Sequence, residues 1–320
     1  MAKGKVRVFF PMRKHMKYYG KHLFVIAVRE IMEGWGFDAR IVPSERYKEW
    51  PIRKGDIVFY ADAGSTRTSP PWAKSRGAWT YYFNMEPADP LPHYPEPNRH
   101  RVASYAKRVL RANFDVVFDY NGNTTENLRS LGVNAYLLPI GYHESFERPR
   151  LKPYRAGVHF LGNEMEPEFK NTKPGKERNL KSRRGKMCDE IRKLGTPCHS
   201  HSFRVRTQEE FDRFLWTPGV HLNLHRFPPP FQFGGLRVIA MLMSNQRFVL
   251  TEICNWLPPG LVPGVHWDVA PPDEFAERAA YWYSKPRACK KMGRAGYEFL
   301  KKSHRLDVEL ERAMTEAGIL

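Results

Sequence analysis

"GVHLNLHRFPPPFQFGGLRVIAMLMSNQRFVLTE", residues 219–252, is the stretch on which the fold turns. Its opening alternates: Val220, Leu222 and Leu224 share one face and His221, Asn223 and His225 the other, as in a strand. Pro228–Pro230 hold the next segment extended, because proline fixes φ and cannot extend a helix interior. Gly234 and Gly235 then permit a close backbone approach just before "LRVIAMLMSN" (236–245), which reads as a helix. "RFVLTE" (247–252) reads as the next strand. Strand, loop, helix and strand form the unit of a parallel sheet, whose ligands bind beyond the carboxyl ends of the strands. Free N–H groups at the start of that helix suit a phosphate, and Arg237 in its first turn offers a fork of donors suited to a diphosphate.

The same rhythm runs outward in both directions. Strands are expected over 5–10, 37–42, 56–62, 78–86, 114–121 and 134–142, with helices over 21–36, 101–113 and 124–132. A second series follows: strands over 157–163, 197–203 and 219–225, helices over 183–195 and 207–218, and two more helices over 272–284 and 287–304. Thr207 is the expected N-cap of its helix, with Glu210 three residues on. This predicts an α/β chain of two Rossmann-like βα domains, 1–145 and 155–304, with 305–320 as a C-terminal helix packing back on the first. Two such sheets facing each other would enclose an inter-domain cleft.

Composition narrows the function. The 320 residues carry 52 Lys and Arg against 34 Asp and Glu, a net charge of +18, and 42% are hydrophobic. The excess is spread evenly: 24 basic against 15 acidic residues in 1–150, and 28 against 19 in 151–320. Such a chain builds real cores and attracts polyanions, nucleic acid foremost. No apolar run reaches the ~20 residues of a membrane span, and no signal peptide is apparent, so a cytoplasmic location is expected. The four cysteines are scattered, without a C-x-x-C pair, which argues against a disulfide framework or zinc finger. "CHSHS" (198–202) places His199 and His201 on one strand face, read as surface histidines and not a metal site.

In order, "LNLHRF" (222–227), "GGLRVIAMLMSNQRFVLTE" (234–252) and "LVPGVHWDVAPPDEFAERAAYWYSKPRACKKMGRAGYEFLKKSH" (261–304) resemble the C-terminal part of GT-B glycosyltransferases. The likeness is to the CgeB-like, spore-protein members of the group 1 superfamily. Their pattern is matched by Asn223, Arg237, Thr251-Glu252, Tyr281–Tyr283, Pro286 and Gly293-Arg294-Ala295-Gly296. "DVVFDYNGNTTENLRSLGVNAYLLPIGYHESFERP" (115–149) resembles that family's domain junction, where LP-x-G precedes F-x-P. The resemblance covers roughly 115–305 and implies a nucleotide-sugar donor, such as a UDP-sugar, as co-substrate; no other cofactor is expected, and no metal, because no constellation of metal ligands is apparent in the residues. The donor residues it implies are Gly162, Asn163, Arg184, Asn223, His225, Gln232, Gly234, Gly235, Arg237 and Glu252. Two departures stand out. The family's glutamates, one near the sugar and one on the donor ribose, are replaced by Gln232 and Ala240, which leaves Glu252 as the candidate ribose contact. Asn245 takes the place of the family's glycine after the helix.

The N-terminal half is where this fold carries its acceptor. The loop after the first strand mixes Arg13, Lys14, His15 and Lys17 with Phe10, Tyr18 and Tyr19, cations for phosphates among rings for bases. Arg67 lies in the loop after the third strand. Asp62 and Glu86 end strands there and are the candidate bases, should the transfer be inverting. Lysines and arginines crowd 166–186 as a basic loop, and Arg183 and Arg184 open the helix that follows, where either could reach a diphosphate. Together these features favour a hexosyl- or pentosyltransferase acting on hydroxymethylated bases in DNA, as in phage-type DNA modification, with the base flipped out or reached from a groove. A carbohydrate or protein acceptor, or a non-catalytic GT-B scaffold that binds nucleic acid, is the alternative reading.

Overall fold

The computed structural model describes residues 6–12, 20–61, 69–85, 107, 109–162, 164–167, 179–201, 207–225, 234–254 and 256–320. These fall into two compact units, Met1–Phe146 with His304–Leu320, and Glu147–Ser303.

In the first unit, β1 (Arg7–Met12), β2 (Asp38–Pro43), β3 (Ile57–Tyr60), β4 (Trp79–Asn84), β5 (Val116–Asp119) and β6 (Ala135–Leu137) form one sheet in the order β2-β1-β3-β4-β5-β6. Every pairing is parallel. Its strands are buried in unbroken runs, Val8–Phe10, Ile57–Tyr60, Thr80–Asn84 and Val116–Asp119, as in strands covered on both faces. Helices α1 (Gly20–Gly34), α2 (Ser69–Ser75), α3 (helical at 109–112 among the described residues) and α4 (Gly122–Ser130) connect the strands. Asn121 caps α4 by accepting a hydrogen bond from the Thr124 N–H. The sequence reading omits α2, because Pro70 and Pro71 suggest a loop, yet prolines are tolerated in a helix's first turn. β6 is shorter than expected. Leu138 still donates to Asp119, but Pro139 has no N–H with which to continue the ladder.

The C-terminal segment belongs to this unit. Tyr142 and the 304–306 backbone exchange hydrogen bonds, Tyr142 N to His304 O at 2.7 Å and Leu306 N to Tyr142 O at 2.8 Å. α9 (Leu306–Glu316) then lies against α1 and β6. Gly141 is required where the two segments meet, since a Cβ there would stand 2.5 Å from the Leu306 nitrogen. This explains one glycine of the LP-x-G motif by close backbone approach.

The second unit repeats the design. β7 (Gly157–Leu161), β10 (Cys198–His201), β11 (Gly219–Asn223), β12 (Val249–Glu252) and β13 (Asp268–Ala270) form a parallel sheet in the order β10-β7-β11-β12-β13. A hairpin of β8 (Met165–Pro167) and β9 (Asn179–Lys181) is inserted after β7. Helices α5 (Arg183–Lys193), α6 (Gln208–Trp216), α7 (Phe275–Tyr283) and α8 (Pro286–Ser303) complete the unit. Thr207 and Glu210 form the expected capping box on α6. The sequence reading misses β13, whose three residues are too short to show a period. The expected helix over 236–245 is a π-helix, Leu236–Leu242, tightening to a 3-10 turn, Met243–Asn245, before Gln246 turns left-handed at φ 59°. Insertions of π geometry are common next to functional sites.

In the second sheet the first strand, β7, has β10 on one side and β11 on the other, so the strand order reverses between β7 and β11. Their carboxyl ends, at Leu161–Gly162 and Asn223–His225, mark the switch point where ligands of open α/β sheets bind. In the first sheet the corresponding reversal lies between β1 and β3.

Candidate functional site at the carboxyl edge of the second sheet

Neighbouring strands β11 and β12 end side by side, with Asn223 in register with Thr251. This brings together residues 28 positions apart in sequence. The Asn223 amide donates to the Thr251 hydroxyl at 2.8 Å. The Asn223 side-chain Oδ1 accepts from Arg237 Nη1 at 3.1 Å, and the same nitrogen lies 3.4 Å from the Leu224 backbone carbonyl. The guanidinium of the π-helix's first turn is thereby fixed over the end of β11. Gly234 makes this possible, because a Cβ there would stand 2.9 Å from the Asn223 side chain. Gly235, with φ −48° and ψ −45°, already has helical geometry and begins the turn.

One residue beyond Thr251 is Glu252, which is fully buried. Its Oε2 accepts from the His225 backbone N–H at 2.7 Å and from Arg183 Nη1 at 3.0 Å, while Arg183 Nη2 binds Oε1. Arg183 Nη1 also reaches the His225 carbonyl at 3.2 Å. The carboxylate suggested as a ribose contact is thus engaged on both oxygens by protein groups, and its role in the structure is to hold Arg183 and the 223–225 backbone. Arg183 is the first residue of α5, whose N-cap Ser182 accepts from the Gly185 N–H at 3.1 Å. Arg184, the neighbouring candidate, places its guanidinium 5.7 Å from the Phe160 ring centroid. At the end of β7 the Gly162 N–H donates to the His201 carbonyl at 2.7 Å.

The electrostatics follow from this crowding. Arg183 pairs with Glu252, and Arg237, Arg183 and Arg184 all act electrostatically on His225. His225 is buried among them, and burial, then Arg237 and Arg183, push its imidazole down to about 3, so it is neutral at pH 7. Cys254 Sγ lies 3.5 Å from His225 Nε2, and burial raises this thiol to about 12, which keeps it protonated and chemically inert. Among the described residues the site therefore offers a fixed cationic edge and the start of two helices, but no poised nucleophile. That combination suits binding of a phosphorylated group.

Among the residues expected at the site, Gly162, Arg184, Asn223, His225, Gly234, Gly235, Arg237 and Glu252 lie on the carboxyl-side loops or adjoining helix starts of the second unit. Asn163 and Gln232 lie outside the described residues, as do Asp62, Glu86, Arg13, Lys14, His15, Lys17 and Arg67, and Lys170, Lys173, Lys176 and Arg178 of the basic loop. Ala240, which the sequence resemblance aligns with a ribose glutamate, is buried within the π-helix. From the sequence either Arg183 or Arg184 can reach a diphosphate, with Arg184 named for the donor, and Cys254 has no expected role. The signal for Arg183 was the N-cap Ser182 immediately before it, which points the first helical turn at the sheet's edge.

His199 and His201 require a correction. They are not simple surface residues: β10 pairs with β7 and β7 with β11, so their rings meet His159 and His221 on one face of the sheet. His159 has ring centroids 5.4–5.6 Å from the other three, and its Nδ1 is 3.3 Å from His201 Nε2. Among the described residues no group of three or more His, Cys, Asp or Glu is arranged to hold a metal ion.

No protein-family model and no curated protein matches the chain. Solved structures do, and they show its fold: two Rossmann-like α/β units, each built on a parallel sheet, match the structures of GT-B glycosyltransferases. Sucrose-phosphate synthase from Thermosynechococcus elongatus aligns at a TM-score of 0.62 with 11% identity, over 98% of this chain and 99% of that one. HepE from Anabaena, solved with UDP and glucose, aligns at 0.59 with 10% identity, over 98% and 100%. An α-glucosyltransferase solved with UDP and a 13-mer DNA containing a central A:G mismatch aligns at 0.54 with 10% identity, over 98% and 100%. At such identities the likeness establishes the fold. No helix among the described residues is long and apolar enough to cross a membrane.

Proposed function

We propose that the protein is a glycosyltransferase that takes a hexose or pentose from a nucleotide sugar of the UDP type and passes it to a hydroxyl, the favoured acceptor being a hydroxymethylated base in DNA. The observation that carries this reading is Arg237, anchored by Asn223 beside Gly234 at the switch point of the second sheet. In the reaction the acceptor oxygen bonds to the anomeric carbon, the bond from that carbon to the diphosphate oxygen breaks, and the nucleoside diphosphate departs with the electron pair. Arg237 and the N–H groups of the π-helix start face the place where that negative charge grows, and fixed donors of this kind are the largest single aid to such a step. Arg183 and Glu252 act as positioning residues that hold the loop after β11. The acceptor proton passes to Asp62 or Glu86 in an inverting transfer.

Support for the DNA acceptor comes from the net charge of +18 and from a structural neighbour solved with DNA. Support for a UDP-type donor comes from the neighbours solved with UDP or UDP-glucose. The test is calorimetric titration with UDP and UDP-glucose. Arg237→Ala should weaken UDP binding roughly 10- to 100-fold, the worth of a charge-assisted hydrogen bond of about 1.5–3 kcal/mol, and leave DNA affinity nearly unchanged. Absence of UDP binding to the wild type would favour the other reading, a nucleic-acid-binding scaffold, which the loss of both family glutamates at Gln232 and Ala240 motivates.

A further inference from the structure

At the opposite end of the second sheet lies a cavity of about 480 Å³, formed where β7, β11 and β12 begin and where α7 hands over to α8. Three cations line it, Arg247, Arg287 and Lys290, together with the partly buried Trp282 and Tyr283 and the core residue Phe248, and its lining contains no carboxylate. Arg247 is half-buried. Its Nε donates to the Asn245 carbonyl at 2.7 Å and its Nη1 reaches the Trp216 carbonyl at 3.4 Å, whereas Nη2 has no hydrogen-bond partner among the described residues. None of the three cations has an acidic partner among the described residues. Arg150, stacked 4.7 Å from the centroid of the same Trp216 ring that Arg247 stacks on at 4.8 Å, adds a fourth positive charge. Burial and Arg150 together lower the Arg247 guanidinium to about 10. A partly buried guanidinium surrounded by like charge is unfavourable unless an anion compensates it.

We infer that this cavity is a second ligand site, distinct from the one at the carboxyl edge, and that it takes a nucleotide unit, with phosphate on Arg247, Arg287 and Lys290 and base against the aromatic wall. The size is that of a small-molecule pocket and exceeds what a bare phosphate fills. Cations beside aromatic faces are the chemistry by which proteins hold single-stranded nucleotides. The occupant is either a free mononucleotide or one nucleotide of a nucleic-acid strand. The inference does not depend on the transfer reaction.

Fluorescence anisotropy with a fluorescein-labelled twelve-nucleotide oligothymidylate tests it. Arg287 and Lys290 are exposed, so the double variant R287E/K290E should keep the fold, which a thermal melt verifies. The expected result is at least a tenfold weaker Kd and a salt slope shallower by about 1.4, two phosphate contacts at roughly 0.7 each for a single strand. A second pair of exposed cations, reversed in K193E/K302E, carries the same net charge and should lose much less. Displacement of the label by thymidine monophosphate assigns the site to free nucleotides, and displacement by oligomers alone assigns it to a strand. Equal losses in both double variants, no loss in R287E/K290E, or displacement by inorganic phosphate as effective as by thymidine monophosphate would overturn the inference.

Discussion

Arg183 and Glu252 show how a single ion pair fixes a site. Glu252 is fully buried and its carboxylate meets Arg183 on both oxygens. A buried pair of this kind need not stabilise the fold relative to apolar residues, yet removing one partner strands the other charge. Arg183→Ala should therefore destabilise the protein by about 3–5 kcal/mol in urea unfolding, and Glu252→Gln on top of it should restore part of the loss. A loss below about 1 kcal/mol would show that Glu252 finds another partner or that water reaches it. The pair also marks what is legible in residues one at a time. His225 and Glu252 were visible as strand ends, and Arg183 as one of two arginines opening a helix. Their joining was not visible, because a contact between positions 183 and 252 is set by strand order, which one sequence does not display.

At the scale of elements, two motifs acquire structural causes. The GR-x-G run of α8 packs backbone against backbone: a Cβ on Gly293 would stand 2.5 Å from the Gln246 carbonyl oxygen, and one on Gly296 would stand 2.7 Å from the His266 carbonyl oxygen. Gly293→Ala should cost about 1–3 kcal/mol by overpacking, despite alanine's better helix propensity, and a thermal melt would register it as a lower Tm. The histidine face of β7, β10 and β11 makes a pH prediction. Burial, reinforced by neighbouring histidines, lowers His159 to about 3 and His201 to about 4, and fully buried His221 lies well below its ordinary value. The unfolded chain takes up protons on these rings near pH 6.5, whereas the folded rings stay neutral down to about pH 4. Stability contributed by their neutrality is thus complete above pH 7 and falls as the pH drops through 6.5. Each ring contributes about 1.4 kcal/mol per pH unit until its folded pKa is reached. Urea unfolding between pH 7.5 and 4.5 should show this slope, and His201→Gln should remove one ring's share of it. A flat profile in both proteins would mean the rings are not buried together. The alternating "VHLNLH" and "CHSHS" placed these histidines on strand faces correctly, but the adjacency of β7 to both β10 and β11 made them a cluster. The strand and helix rhythm was legible over most of the described residues because apolar runs and capping residues act locally, though the β8–β9 hairpin was not. β13 and α2 were not, one for brevity and the other because prolines mask a first helical turn.

For the whole molecule, the decisive pattern is that two βα units share one strand order, first strand flanked by the second and third. That order places Asn223, His225 and Arg237 at the switch point of the second sheet and leaves the first sheet's own switch point, between β1 and β3, for the acceptor in the proposed reaction. The GT-B class was legible from the sequence through the ordered series of weak motifs between 115 and 305. The proposed acceptor rests on composition alone, because the loops to which the sequence assigns it are basic and aromatic and no local rule fixes loop geometry. The measurement that tests the central claim most directly is mass spectrometry of nucleosides from hydroxymethylated and unmodified DNA, each incubated with the protein and a panel of nucleotide sugars. A hexose or pentose mass gain on the hydroxymethylated base alone, abolished by Arg237→Ala, is the predicted result. No gain with any donor, from protein that binds UDP and DNA in parallel titrations, would contradict a DNA acceptor.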